Sequence, residues 1–300
     1  MTDPSLVDTE EFPVPLVRKM PSKSSLVEVD FGGVSDVGKV RSNNEDTFFV
    51  SRFDRTMQPI LTNLPPAEAP DFSAETCYGM LVADGMGGHA AGEVASRTAV
   101  RVLIELVLQT PDWIMQFDEP LQQRVIRRFE QRLWDVQDAL TQQARADAEL
   151  FGMGTTMTIA VSVGANLLVV HVGDSRAYLL RNGALERLTR DQTIAQEMQE
   201  AGMLTAEQAA QHQLRHVLTG VLSAGGKKLP VEFRNLTLRD GDQILLCSDG
   251  LTEMISEEEI VAVLQRPGSA METSQALVVH ALEAGGKDNV TAVLARYHFP

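Results

Sequence analysis

Four aspartates fall where apolar stretches of this chain begin or end. Met80-Leu81-Val82-Ala83 runs into Asp84-Gly85. Val169-Val170-His171-Val172 runs into Gly173-Asp174-Ser175, and Leu245-Leu246-Cys247-Ser248 into Asp249-Gly250. Asp288 follows Gly285-Gly286-Lys287 and precedes a final apolar run. A single Asp-Gly at a strand end is ordinary turn chemistry. Repetition asks for more, because carboxylates gathered at neighbouring strand ends repel one another unless cations lie between them. Hard divalent ions with oxygen ligands, Mg²⁺ or Mn²⁺, suit such a set. Spacing alone leaves a carboxylate metal site and a series of unrelated turns equally open.

Two further segments carry polar chemistry. Asp84-Gly85-Met86-Gly87-Gly88-His89-Ala90-Ala91-Gly92 lets the backbone approach a ligand closely. It matches neither the Walker A pattern nor G-x-G-x-x-G. His89 on its own reads as a capping or packing residue. In Val40-Arg41-Ser42-Asn43-Asn44-Glu45-Asp46, Arg41 has the geometry to grip an oxyanion bidentately, and Glu45 and Asp46 have the reach to join the same ions. Taken alone, that stretch reads as an ordinary polar turn.

The elements that must position these residues are short strands and longer helices. Strands are expected over 47–51, 78–83, 156–163, 167–172, 177–181, 243–247 and 290–296, each a β-branched or apolar run bounded by turn residues. Asn182-Gly183 signals a hairpin. Helices are expected over about 92–108, 120–150, 193–202 and 271–284. One restarts at Thr205 and another opens at Ser256 with three glutamates. Leu121, Val125, Phe129, Leu133, Val136 and Leu140 form one helix face. Residues 56–75, with Pro59, Pro65, Pro66 and Pro70, read as a long loop between strands. Residues 1–27 read as a mobile tail and 28–300 as a single domain. Grouped strands with helices between the groups suit a layered α+β fold rather than a βαβ alternation.

Composition excludes several classes. There are 300 residues, 44% of them hydrophobic, so a core can form. The net charge of −15 disfavours nucleic acid and anionic membrane surfaces. Cys77 and Cys247 form no C-x-x-C pair, so thiolate zinc and a disulfide framework are out. Met1 to Glu11 carries four acids and no base, the reverse of a signal peptide, and no apolar run is long enough to span a bilayer. A cytoplasmic protein is the expectation.

Taken together, seven ordered segments resemble the metal-dependent protein phosphatases, the type 2C serine/threonine phosphatases, in their bacterial form. They are 38–46, 82–89, 154–156, 172–176, 188–191, 248–251 and 285–291, within a span of about 30 to 297. The resemblance implies a four-layer α-β-β-α sandwich of two mostly antiparallel sheets flanked by helices, with a binuclear Mn²⁺ or Mg²⁺ centre at one end. Carried over residue by residue, Asp84 bridges two ions, the Gly85 carbonyl ligates one, and Asp249 and Asp288 hold the other. Glu45 and Asp46 act at the ions directly or through water, and Asp174 with Asp249 forms a third metal site. Arg41 binds the substrate phosphate and His89 is the general acid. The implied reaction is hydrolysis of phosphoserine and phosphothreonine in proteins by a hydroxide held between the ions, with no phosphoenzyme. The implied substrates are phosphoproteins made by a bacterial serine/threonine kinase, and the enzyme is expected to be monomeric. A catalytically inactive phosphoprotein-binding form is the alternative, against which stands the presence of Arg41, Asp84, Asp249 and Asp288. A regulatory phosphatase dedicated to one small partner protein is a third reading. The family commonly has His after Asp191 where this chain has Gln192, which puts local loop packing in question. His171 reads as a core histidine. Residues 194–226, with His212, Arg215 and His216, correspond to a variable flap beside the site.

Overall fold

The structure, a computed structural model, describes residues 23–57, 60–61, 73–87, 91–109, 119–226 and 228–300. The expected tail up to residue 22, the four prolines of the long loop and His89 lie outside the described residues. Packing begins ahead of the expected boundary at residue 28. Lys23–Leu26 forms a 3₁₀ turn, Ser24 and Val27 are buried, and the Ser24 hydroxyl accepts from the Thr76 amide.

Two antiparallel sheets build the centre. One has five strands: β1 (Glu28–Asp36), β12 (Val290–His298), β11 (Gln243–Cys247), β7 (Arg176–Arg181) and β8 (Ala184–Arg187), in that spatial order. The other runs β10 (Glu232–Thr237), β6 (Asn166–Val172), β5 (Met157–Val163), β3 (Ser73–Met86), β4 (Gly154–Thr155) and β9 (Leu222–Ser223), with β2 (Asp46–Met57) also pairing with β3. The strand alternation explains why the central strands read as unbroken apolar runs. Leu167 and Val169 of β6 meet Ile244 and Leu246 of β11 and Val293 and Ala295 of β12 between the sheets. Leu168 and Val170 face the opposite way, onto helices α1 (Ala91–Gln109) and α2 (Glu119–Ala146). After the short helices α3 (Ile194–Glu200), α4 (Ala206–Ala210) and α5 (Asp249–Thr252) come α6 (Glu257–Leu264) and α7 (Ala270–Glu283), towards which Leu245 and Cys247 turn. The result is the expected α+β sandwich of four layers. Both cysteines are buried and free.

Local chemistry sets most boundaries. Asn182 and Gly183 both have positive φ, the type I′ hairpin conformation. Ser256 and Ser269 open α6 and α7 with complete capping boxes. Phe129, Leu133, Val136 and Leu140 of the expected stripe are buried. The α2 helix ends at Ala146, earlier than expected, because the Asp147 carboxylate caps a separate 3₁₀ turn at Ala148–Leu150. The strands β2 and β3 extend to Met57 and Ser73, so they take in both ends of the expected loop. Among the described residues, no helix is long and apolar enough to cross a membrane.

Candidate metal centre

Antiparallel pairing gathers the acids. The C-terminal end of β11, which leads to Asp249, lies beside the starts of β7 and β12, which follow Asp174 and Asp288. In the other sheet, Asp46 at the start of β2 stands opposite Asp84 near the end of β3, and Asp174 lies just past β6. Both sheets therefore deliver carboxylates to the same edge. Burial first, and then the charges of Asp46, Asp249, Asp174 and Asp288, push Asp84 well above the usual carboxylate range. Asp249 is raised for the same reasons, burial and then Asp174 and Glu253. Burial raises Asp46 to about 6 and Asp174 to about 7. Glu45 is raised too, mainly by burial.

A hydrogen-bonded frame fixes these groups. Asp46 is buried, 8% exposed as a residue, and its Oδ2 accepts from Ser248 Oγ at 2.7 Å and Thr291 Oγ1 at 2.6 Å. The Asn289 side chain accepts from the Glu45 amide and donates to the carbonyls of Val37 and Asn43. Thr156 ties two acidic loops together: its Oγ1 accepts from the Asp84 amide and shares a hydrogen bond with Ser175 Oγ. Arg41, with its side chain 55% exposed, donates through Nη2 to Asp288 Oδ2 at 2.7 Å. Of the expected site residues, Arg41, Glu45, Asp46, Asp84, Gly85, Asp174, Asp249 and Asp288 all come to this edge. His89 is outside the described residues.

The residues fit divalent cations. Asp46 Oδ1 is buried and has no hydrogen-bond partner, an expensive state for a carboxylate oxygen unless a cation faces it. Among the described residues, no ion pair reaches Asp84, Asp174 or Asp249. The available donors are carboxylate and carbonyl oxygens, the set that hard ions select. Two glycines leave room for this arrangement. A Cβ on Gly92 would lie 2.6 Å from the Glu45 carboxylate, and one on Gly85 would lie 2.1 Å from the Gly92 carbonyl oxygen. The second obstacle is backbone and cannot swing aside. Gly85→Ala should therefore displace the start of α1 and cost about 100-fold in metal affinity, the upper range for outer-shell changes. A Mn²⁺ titration by calorimetry with the wild-type isotherm in this variant would refute that.

Glu253, a neighbour of the site, escapes a sequence reading. His216 Nδ1 lies 2.9 Å from Glu253 Oε1, and His216, Asp249 and Glu253 bring ligand-type atoms within 4.8 Å of one another. Arg215 is 4.0 Å from Glu253. His171 is a satisfied core residue, bonded to Thr158 Oγ1 and the Arg190 carbonyl, and burial lowers its pKa. Ser248 and Ser175 brace the acidic loops.

A sandwich whose two sheets converge on one acidic edge, with an exposed arginine beside it, is the architecture of a metal-dependent phosphatase domain. The family model described as Protein phosphatase 2C matches residues 71–288. The chain belongs to that family. It is 35% identical over 261 residues to the serine/threonine protein phosphatase PstP of Mycobacterium tuberculosis, covering 87% of this chain but only 43% of that protein's length. It is 32% identical to the serine/threonine phosphatase stp of Listeria welshimeri, covering 87% of this chain and 92% of that one. The crystal structure of the M. tuberculosis phosphatase PstP/Ppp superposes with a TM-score of 0.73 at 33% identity, over 90% of this chain and 99% of that one. The catalytic domain of PstP in complex with two manganese ions matches with a TM-score of 0.70 at 32% identity, over 91% and 99%.

Proposed function

We propose that this chain hydrolyses phosphoserine and phosphothreonine esters in proteins, using Mn²⁺ or Mg²⁺. The observation that carries the reading is the convergence of Asp46, Asp84, Asp174, Asp249 and Asp288 on one edge, with Asp46 Oδ1 buried and unpartnered. Relatives named as serine/threonine phosphatases, one of them solved with two manganese ions, support it. Asp84, the Gly85 carbonyl, Asp249 and Asp288 serve as metal ligands, with Glu45 and Asp46 acting directly or through water and Asp174 at a further site. Bound Mn²⁺ or Mg²⁺ supplies an acidified water and positive charge against the phosphate. Arg41 uses one donor on Asp288 and keeps the rest of its guanidinium for phosphate oxygens. His89 gives a proton to the departing serine or threonine oxygen, a poor leaving group when unprotonated. Phosphoproteins made by a serine/threonine kinase are the substrates, and the enzyme acts as a cytoplasmic monomer.

Phosphate release from a phosphothreonine peptide, titrated with Mn²⁺ and stopped by EDTA, tests this reading. Metal-dependent turnover supports it; folded protein with no turnover at any Mn²⁺ or Mg²⁺ concentration leaves a binding protein. The acid role has its own check. His89→Ala should lose about 100-fold or more on the peptide, with little change on p-nitrophenyl phosphate, whose phenolate leaves unaided. Equal losses on both substrates would exclude it.

A further inference from the structure

We infer that Gln192 is a positioning residue that locks the Asp174 loop to the base of the 194–226 flap. The inference rests on the reading of Asp174 as a metal ligand. Gln192 is 2% exposed and bonds to three other segments. Its Oε1 accepts from the Gly173 amide at 2.9 Å, immediately before Asp174, and its Nε2 donates to the Pro230 carbonyl at 2.7 Å. Its backbone amide donates to the Gly173 carbonyl at 2.8 Å, and its own carbonyl accepts from the Thr219 amide at 2.7 Å. The flap thus starts beside this residue and returns to it at Thr219. The bridge between Thr193 and Leu218 and the 2.9 Å bond from the Ile194 amide to the Val217 carbonyl close the same neck.

The fit is tight on every side. A Cβ on Gly220 would lie 1.7 Å from Gln192 Oε1. Gly173 has φ +117°, and a Cβ there would lie 2.6 Å from Thr156. The Asp174 loop is therefore clamped between Thr156 on one side and Gln192 on the other. Beyond the neck, the flap brings Arg215 and His216 to a cleft of about 1010 Å³ that also contains Asp174, Asp249, Glu253 and Lys287. A side chain that fixes the neck fixes the carboxylate and the flap together. Removing its amide leaves the buried Gly173 N–H without an acceptor and the Pro230 carbonyl without this donor, so the side-chain tie between the two segments is lost while the backbone bond to Gly173 remains.

The test compares wild type, Asp174→Asn, Gln192→Met and Gln192→His by Mn²⁺ calorimetry and by phosphopeptide kinetics. Methionine keeps the length and removes both hydrogen bonds. Neutral imidazole restores one acceptor and one N–H on a rigid frame. Asp174→Asn should remove one binding event. Gln192→Met should weaken that same event about 10-fold and raise KM for the peptide more than it lowers kcat, and Gln192→His should recover both. Should Gln192→Met fail to fold, Gln192→Glu, which keeps the acceptor and loses the donor, gives the same readouts. A wild-type isotherm and KM in folded Gln192→Met, or no recovery in Gln192→His, would overturn the inference. An isotherm unchanged by Asp174→Asn would overturn the ligand reading beneath it.

Discussion

Replacing Asp84 by Asn should abolish turnover while making the metal-free protein more stable. The two effects have one cause. Asp84 is one of the two most crowded acids, facing Asp46, Asp249, Asp174 and Asp288 from a buried position. Asparagine keeps the shape of the carboxylate and removes its charge. Without that charge the metal ligand is lost, and a loss of at least about 10³-fold in kcat/KM is expected for a group on which the metal centre depends as a unit. The same change relieves repulsion among carboxylates that have no cation to share. That relief favours the folded state of the variant and reads as a raised Tm in EDTA. Thermal melts in EDTA and in Mn²⁺ separate the parts: the variant should melt above wild type in EDTA and gain little from Mn²⁺. A variant that melts lower in EDTA would show that Asp84 has a structural partner. Full activity would sink its assignment as a ligand.

Much of this site was legible because its chemistry is punctuated. Each acid follows or precedes a run whose strand character is plain, and antiparallel pairing brings such ends together; β11 falls at its expected bounds. What the sequence hid is hidden for physical reasons. The strand β1 carries Gly32-Gly33, which reads as a break. In the structure those glycines permit close approach, since a Cβ on Gly32 would lie 2.2 Å from the Ala270 carbonyl at the start of α7. The strand β10 is an edge strand with a polar, half-exposed sequence that lacks clean alternation. Gln192 looked like a departure in a loop, because its role depends on Gly173, Thr219 and Pro230, residues brought together only by the tertiary fold. Glu253 gave no signal for the same reason, as its neighbour His216 lies 37 residues away on the flap.

Stabilisation by Mn²⁺ should grow steeply with pH, and the sign follows from the raised carboxylates. Asp46 sits at about 6 and Asp174 at about 7, and Asp84 and Asp249 are raised as well. In the unfolded chain each returns to about 3.9. Between roughly pH 4 and 7 the metal-free folded state therefore holds protons that the unfolded state has released. The contribution of these groups is fully present below the unfolded value and is lost as pH rises through the folded one, so this part of the stability falls with rising pH. Divalent cations compete with those same protons. At pH 5 the protons hold the site, and Mn²⁺ adds little. At pH 8 Asp46 and Asp174 are ionised, and an ion present at 100 times its Kd adds about 2.7 kcal/mol per site. The Tm difference between Mn²⁺ and EDTA should accordingly rise from near zero at pH 5 to many degrees at pH 8. Subtracting the two melts cancels the ordinary surface carboxylates, whose titration is common to both. A Tm difference that stays flat across this range would mean that the ion does not displace protons from these aspartates, and the acidic edge would lose its claim to be the metal centre.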